Sequence, residues 1–485
     1  MKRRIAVAIS GGVDSSVTAY LLQQLYSPYA DIIGLHMNNW NNLDEDSNHQ
    51  QKMSSCYERD AIDAQNVCNH LNIRMHRVSF ASEYWINVFE PFLHALEDGL
   101  MPNPDVGCNS KVKFGAMRNY AMNTLKADFI ATGHYAQLWH RHEYSIVDNH
   151  DMNKYILRTS RDPPEFVANA MDNTSTTSER SWLYDWGYRN SIPLLLTGAD
   201  EKKDQSYFLA GVKGEAFRNV LFPIGHLMKN SNMNTTNHVQ DLKKEIKSSW
   251  IDTSEYTVRS IASLASLPTA NKRDSMGICF IGKRKFSDFV NSYLSQTTRM
   301  GQFIDIDTGM IVGRYKTSSY FTIGQGSKIS GASRKWFIAK IDKDRDIIYV
   351  CSDTHHPSLY SSELYVKLNE FNWICGEVPP PLISGNSMPV FCRIRHLQPL
   401  IPSEVIWDRV NQMLIVRFHR AVRAVTAGQM CVLYAANGTV CLGGGAIWKS
   451  GETYFERKCP LPKLLHPSGS NDLSVDRIHE SIILQ

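Results

Sequence analysis

Residues 4–16 read RIAVAISGGVDSS, and the fold turns on this stretch. Arg4 to Ile9 is a short apolar run with β-branched residues, the pattern of a buried strand. Two glycines follow, after which Val13 to Leu25 sets Val17, Leu21, Leu22 and Leu25 at helical spacing. That is one βα unit. Working outward, Asp31 to Met37, Ile73 to Phe80 and Asp128 to Thr132 predict further strands, with a helical stretch over Glu58 to Leu71. Such alternation predicts an α/β fold with a doubly wound parallel sheet, whose ligands bind at the carboxyl ends of the strands.

Beyond that region the texture changes. Ser160 to Asp200 carries Pro163-Pro164 and the polar run 173–178, and Asn230 to Asn237 is rich in Asn, Thr and Ser; both read as surface insertions. Helical stretches over Ser206 to Val220 and Thr257 to Leu264 predict a small helical middle domain. From about Gly301, period-two runs such as Pro389 to Arg395, Met413 to His419 and Gln429 to Tyr434 predict a C-terminal β-barrel. The boundaries drawn are 1–215, 216–298, 299–450 and a tail, 451–485.

Composition narrows the class. The 485 residues suffice for about three domains, and 43% apolar with 21% charged residues is ordinary for globular chains. No apolar run approaches the roughly 18 residues of a membrane span, and the basic start runs straight into a strand pattern, which argues against a secretory signal. A net charge of +4 announces no nucleic-acid partner by itself. The ten cysteines contain no CxxC pair and no Cys/His cluster at zinc spacing, so reduced thiols are expected and structural zinc is not.

The chemistry begins at Ala8 to Ser16. Gly11 and Gly12 let backbone approach a ligand, the turn amides form an anion nest, and the helix terminus adds partial positive charge. Phosphate is the expected guest, with hydroxyls from Ser10 and Ser15 and with Asp14 as a helix cap or an aid in holding a metal ion on the phosphates. Gly277 to Arg284, GICFIGKR, has P-loop spacing but puts Arg284 where a hydroxyl must reach magnesium, and no strand precedes it. That reading is set aside.

SGGVDS after an N-terminal strand resembles the pyrophosphate loop of the ATP pyrophosphatase superfamily. Further segments narrow the resemblance: MPNPDVGCN at 101–109, ATGHY at 131–135, KDQSYFL at 203–209, LFPIG at 221–225, DSMGICFIG at 274–282, TIGQ at 322–325, AVTAGQ at 424–429 and CLGGG at 441–445. In this order they resemble the tRNA-specific 2-thiouridylases over most of residues 1–450. The resemblance implies ATP as cosubstrate, with Mg2+ accompanying it, and adenylation of the uridine 2-oxygen at the tRNA wobble position. Sulfur from a cysteine persulfide then displaces AMP.

By that resemblance Cys279 carries the persulfide and Cys108 is the second catalytic thiol, ending in a transient disulfide with Cys279. Asp105 is the proton-transfer or base-orienting carboxylate. Ala8, Ile9, Ser10, Gly11, Gly12, Val13, Asp14, Ser15, Met37 and Gly133 fall at nucleotide-binding positions. Asn103, Pro104 and Asp105 contact the target base, while His134, Lys203, Asp204, Gln205, Arg395, His396 and Gln429 match tRNA-contacting positions. No resident metal is expected. The implied partners are tRNA and a sulfur-donor protein, with no membrane. The insertions resemble organellar members, implying the mitochondrial matrix, with cytoplasm the alternative because no transit peptide is readable before Ser10.

This chain departs from the family in having Gly326 after the TIGQ segment, where Arg is usual, and Asn38 where Lys is usual. Lys328 is the candidate to replace one lost charge. Rival readings are another adenylating ligase with the same loop, iron-sulfur-dependent tRNA thiolation, and a catalytically silent tRNA-binding homologue. The first has no use for the two cysteines, the second normally shows CxxC, and the third would not need an intact loop.

Overall fold

The structure is a computed structural model that describes residues 2–40, 47–140, 144–145, 156–157, 182–183, 186, 192–230, 256–274, 289–290, 292–293, 300–316, 321–435 and 437–462, with backbone alone over 47–57, 144–145 and 156–157. Strand β1 (Arg3–Ala8) feeds helix α1 (Val13–Tyr26), β2 (Ala30–Asn38), helix α2 (Ser47–Leu71) and β3 (Arg74–Ser79). Strands β4 (Phe129–Ala131) and β5 (Val220–Leu221) complete an all-parallel sheet in the order β3-β2-β1-β4-β5. The chain winds one way from β1 through β3, then crosses to β4 on the other side of β1. The topological switch therefore lies between β1 and β4, where open α/β sheets bind ligands.

The period-two logic of β1 is visible in its burial. Ile5 and Val7 join the apolar layer that α1 and α2 cover through Val17, Leu21, Ala64 and Val67. Ala6 faces the opposite layer, with Val112, Phe114 and Met117 from the helical run 104–123. A strand covered on both faces needs no polar alternation, which is why it reads as a continuous apolar run.

The stretch Ser206 to Val220, expected as one helix, holds instead a helical turn at Ser206–Leu209, a 3-10 turn at Gly214–Phe217 and the start of β5. Gly214 accounts for the break: a Cβ there would sit 1.8 Å from the Ile374 carbonyl oxygen, so the chain passes the barrel too closely for a continuous helix. Helix α3 (Val258–Leu264) begins at Thr257 as anticipated, with a capping box to Ser260.

The C-terminal half is β throughout. Strands Gly301–Asp305, Ile311–Tyr315, Gly326–Ser327, Trp336–Asp342 and Ile347–Cys351 form a five-stranded sheet around Phe303, Trp336, Ile338, Ile348 and Val350. Strands Tyr360–Trp373, Met388–Arg393, Ile401–Asp408, Met413–Arg423, Met430–Ala435 and Val440–Ser450 form an antiparallel ring, closed because the first pairs with the last. Two strands from the N-terminal half, Ala136–Trp139 and Leu194–Thr197, extend this barrel sheet. Leu194–Thr197 lies inside the interval expected as a polar insertion, yet Leu194, Leu195 and Leu196 are buried. Val432, Tyr434 and Cys441 of the barrel share a core with Ala6 and Ile130, so the two halves pack as one body.

Candidate active site at the carboxyl ends of the parallel sheet

The glycine loop leaves β1 at the switch point. Gly11 adopts φ +78°, open to glycine, and a Cβ there would fall 2.3 Å from the Asp60 carbonyl oxygen of α2. Gly12 is extended and caps α1. Hydroxyls brace the turn: Ser15 Oγ donates to the Gly12 carbonyl (3.0 Å), accepts from the Ser10 amide (3.1 Å) and meets Ser10 Oγ (3.1 Å). The Ser16 amide makes the first helical bond, to Gly12 O at 3.2 Å. The amides of Val13, Asp14 and Ser15 thus precede the intrahelical ladder and are left for an external acceptor. Gly133, just past β4, abuts this terminus, since a Cβ there would lie 2.8 Å from the Ser15 amide nitrogen. Ala8, Ile9 and Met37 end the adjacent strands β1 and β2, tied by the Ile9 amide on Leu35 O (2.9 Å) and by His36 Nδ1 on Ile9 O (2.8 Å).

Around Asp14 lies an ion network that local sequence gave no reason to expect. Asp14 Oδ1 accepts from the Tyr135 hydroxyl at 2.7 Å and from Lys229 Nζ at 2.5 Å. Lys229, 1% exposed, also reaches Asp274 Oδ1 at 3.2 Å. Asp274 pairs further with Lys203 (2.8 Å) and Arg259 (2.8 Å). Partial burial opposes its ionisation, but the Lys203 hydrogen bond and the Lys229 charge prevail and bring it down to about 2. Burial, then the Asp14 charge, pushes the Tyr135 phenol well up, keeping it a neutral donor. Lys272 bonds the Gly11 carbonyl (3.0 Å), Asp60 (2.7 Å) and Asp63 (2.5 Å), tying the loop to α2. Of the two roles expected for Asp14, helix capping belongs to Gly12 instead, and the side-chain oxygen is already shared by two donors.

The thiol arm begins at Asn103, whose Oδ1 accepts from the Asp105 amide at 2.9 Å. Pro104 opens the helical run, and Cys108 starts its π-type stretch, Cys108–Met117. Cys108 is 5% exposed, and its Sγ lies 4.0 Å from Asn39 Nδ2, immediately past β2. The thiol therefore sits at the same carboxyl edge as the nucleotide loop. Burial pushes its pKa up, Lys113 draws it down, and Asp105 raises it again. Asp105 is likewise raised by burial, opposed by Lys113 and His396.

Cys279 lies outside the described residues.

The residues expected at the tRNA are used partly as internal braces. His134 is 7% exposed, between Phe114 and Phe222, bonded to Thr132 Oγ1 (2.7 Å) and Asn109 Oδ1 (3.3 Å). Burial, with Lys113 nearby, holds its pKa well below the usual histidine value. Asp204, 1% exposed, accepts from the Gly198 amide (3.0 Å), Ser206 Oγ (2.9 Å) and Arg393 (2.6 Å). Gln205 Oε1 accepts from the Tyr135 amide (2.9 Å), and His396 Nε2 meets Asp204 O (2.8 Å). Arg395 donates to Ala424 O (2.5 Å) and Gln429 to Met101 O, the latter pinning the 99–108 segment to the barrel. Lys203 and Lys113 are partly exposed and Lys111 is exposed. Gly326 is exposed in the five-stranded sheet, with Lys328 two residues on.

Comparisons with known proteins match three stretches of the chain. Residues 3–162 and 185–249 match the family described as tRNA methyl transferase HUP domain. Residues 287–352 match the tRNA methyl transferase PRC-barrel domain, and residues 362–447 the aminomethyltransferase beta-barrel domain. Mitochondrial tRNA-specific 2-thiouridylase 1 of Mus musculus is 33% identical over 472 residues, covering 97% of each chain. The tRNA-specific 2-thiouridylase MnmA of Chlamydia abortus is 35% identical over 449 residues, covering 92% of this chain and 98% of its own. That of Mycoplasma capricolum is 33% identical over 457 residues, covering 93% and 99%.

Proposed function

Because the chain belongs to the tRNA-specific 2-thiouridylase family, we propose that it replaces the 2-oxygen of the tRNA wobble uridine with sulfur, using ATP to activate that oxygen and a Cys279 persulfide to deliver the sulfur. The carrying observation is that the Ser10–Ser15 loop and Cys108 share one sheet edge, with His36 in β2 bonded to Ile9 O at the start of the loop and Asn39 at the β2 exit facing the Cys108 thiol.

A uracil carbonyl holds a poor leaving group, so its oxygen must be converted into a better one before sulfur can replace it. The uridine 2-oxygen attacks the α-phosphorus of ATP while Asp105 takes the N3 proton. The bond to the bridging oxygen breaks, and pyrophosphate leaves with the electron pair. The free amides of Val13 to Ser15 and the α1 terminus stabilise the phosphate charge. The elevated pKa of Asp105 suits it to receive a proton and return it later.

The outer sulfur of the Cys279 persulfide then attacks C2, expelling AMP with the former uridine oxygen. Cys108, as thiolate, attacks Cys279 Sγ; a Cys108–Cys279 disulfide forms, and the broken S–S bond leaves its electrons on the sulfur now bound to C2. Asp105 returns the proton to N3. A dithiol reductant resets the pair, and a sulfur-donor protein reloads Cys279.

ATP fits the loop. Magnesium finds no ready protein ligand through Asp14 Oδ1, which takes two donors, so the ion would ride on the phosphate oxygens. Asn103, Pro104 and Asp105 receive the base, and exposed Lys111 with partly exposed Lys113 and Lys203 offer charge to the tRNA backbone. Named mitochondrial relatives support a mitochondrial location; among the described residues no helix is long and apolar enough to cross a membrane.

The test is incorporation of labelled sulfur into unmodified tRNA, with ATP and a persulfide donor, by wild type, Cys108→Ser and Cys279→Ser. Label in the wild type alone is expected. Label in both variants would overturn the two-thiol mechanism, and none in the wild type would favour a silent tRNA-binding homologue.

A further inference from the structure

We propose that Lys229 is a catalytic residue of the adenylation step, its ammonium binding the pyrophosphate that leaves; this rests on the adenylation reading above. Among the residues whose side chains are described, Lys229 is the one fully buried lysine or arginine, at 1% exposure. Removing an ammonium from water costs several kcal/mol, and a buried ion pair seldom repays that as stability alone. The cost points to a use for the charge.

Its placement is built from several elements. The Lys229 amide donates to Asp200 Oδ2 at 2.9 Å, and its carbonyl accepts from the Arg259 amide at 3.2 Å, so the backbone is held on both sides. The side chain passes 5.7 Å from the Tyr135 ring centroid and ends at Asp14, the second residue of α1. It is thus delivered to the helix terminus whose amides of Val13, Asp14 and Ser15 have no helical acceptor.

The donor count supports the assignment. An ammonium has three hydrogens. Two are directed to Asp14 (2.5 Å) and Asp274 (3.2 Å), and the third has no acceptor among the described residues. Asp14, for its part, does not depend on Lys229 alone, because the Tyr135 hydroxyl holds the same oxygen at 2.7 Å. When a polyphosphate enters, Lys229 can turn toward it while Asp14 keeps a neutral donor. The other cations nearby are committed: Lys203 and Arg259 to Asp274, Lys272 to Asp60, Asp63 and the Gly11 carbonyl.

In the reaction the bond between the α-phosphorus and the bridging oxygen breaks, and charge builds on the departing pyrophosphate. A preformed cation at that point acts on the transition state more than on bound ATP, so its loss lowers kcat more than it raises KM. Asp14 and Asp274 are then positioning residues for Lys229.

The experiment must separate phosphate binding from the neutralising of Asp14. Removing Lys229 alone strands a carboxylate, whereas Asp14→Asn/Lys229→Gln removes both charges together. We would titrate inorganic pyrophosphate by calorimetry into wild type, Asp14→Asn, Asp14→Asn/Lys229→Gln and Lys229→Arg. In the same proteins we would follow tRNA-dependent pyrophosphate release. Relative to Asp14→Asn, the double variant is expected to bind pyrophosphate at least about tenfold more weakly, consistent with loss of a charge-assisted contact. Its release kcat is expected to fall about 100-fold with a smaller change in the KM for ATP, and Lys229→Arg to retain part of both. Equal pyrophosphate affinity in the single and double variants, or release restored to wild-type rate in the double variant, would overturn the proposal and leave Lys229 as the partner of Asp14. No pyrophosphate binding by the wild type would overturn the adenylation reading and this proposal with it.

Discussion

Gly11 and Gly12 look alike in sequence but carry different demands, and Gly11→Ala against Gly12→Ala exposes them. At Gly11 the backbone is left-handed, costing an alanine about 1–2 kcal/mol. The added Cβ would also lie 2.3 Å from Asp60 O, about 1.1 Å inside an ordinary 3.4 Å contact, and that oxygen belongs to the backbone of α2. Overpacking of this kind costs about 1–3 kcal/mol, while stiffening the unfolded chain returns about 0.4–1. The net loss is about 1–4.6 kcal/mol, or on the order of 2–18 °C in the melting of a domain this size. Gly12, extended and with Ser10 Oγ at 3.4 Å as its nearest contact, tolerates a methyl group with a change of about 0.5 kcal/mol. Differential scanning calorimetry with and without ATP measures both. Because relief of the clash displaces the loop by about 1 Å, Gly11→Ala also slows pyrophosphate release by about 100-fold. Equal melting temperatures for the two variants, or Gly11→Ala at wild-type stability and rate, would refute the argument.

Further outcomes follow from the same geometry. Cys108→Ser abolishes sulfur transfer but leaves tRNA-dependent pyrophosphate release within about threefold, because the thiol acts after adenylation; parallel assays of both products check this. Asp204→Ala strands Arg393 in the barrel core and destabilises by about 3–5 kcal/mol, measured by denaturant unfolding, whereas a pure tRNA-contact role would leave stability unchanged. Burial raises the Cys108 pKa, so the single-turnover rate of sulfur release climbs with pH through the ordinary thiol value near 9, and a flat profile from pH 7 to 9 would contradict it. His134 is held neutral, with a folded pKa well below 6.5. The unfolded chain binds the extra proton first, so this contribution is intact above pH 6.5 and lost as pH falls below it, with a slope up to about 1.4 kcal/mol per pH unit. Urea unfolding at pH 7 and pH 5.5 should show less acid sensitivity in His134→Gln.

What was legible in the sequence is what depends on near neighbours. Strand β1, its glycine loop and α1 follow from the order of residues 4–25, and the helical spacing over Thr257 to Leu264 announces α3. The closed barrel follows from period-two runs, although its edge could not be read. Leu194–Thr197 carries no polar alternation and belongs to a sheet whose next strand, Val440–Ser450, is more than two hundred residues away. Two-residue β5 is too short for any period.

The site divides in the same way. The loop, Asp105 and Cys108 stand in contiguous motifs, but Lys229, Tyr135, Asp274, Arg259 and Lys272 meet Asp14 and Gly11 only through folding. The motifs LFPIG and ATGHY pass next to Lys229 and contain Tyr135 without revealing that both converge on one carboxylate oxygen. Conversely, Asp204 and His134 look like polar contact residues in sequence, and burial turns them inward.

The central claim is that the uridine oxygen itself becomes the leaving group on AMP. Unmodified tRNA carrying 18O at the 2-position of the wobble uridine, turned over once with ATP and a persulfide donor, tests this directly by mass spectrometry of the products. The account predicts one 18O atom in the phosphate of each AMP formed, in step with one sulfur gained by the tRNA. Recovery of the label in inorganic phosphate or water, with AMP unlabelled, would contradict it.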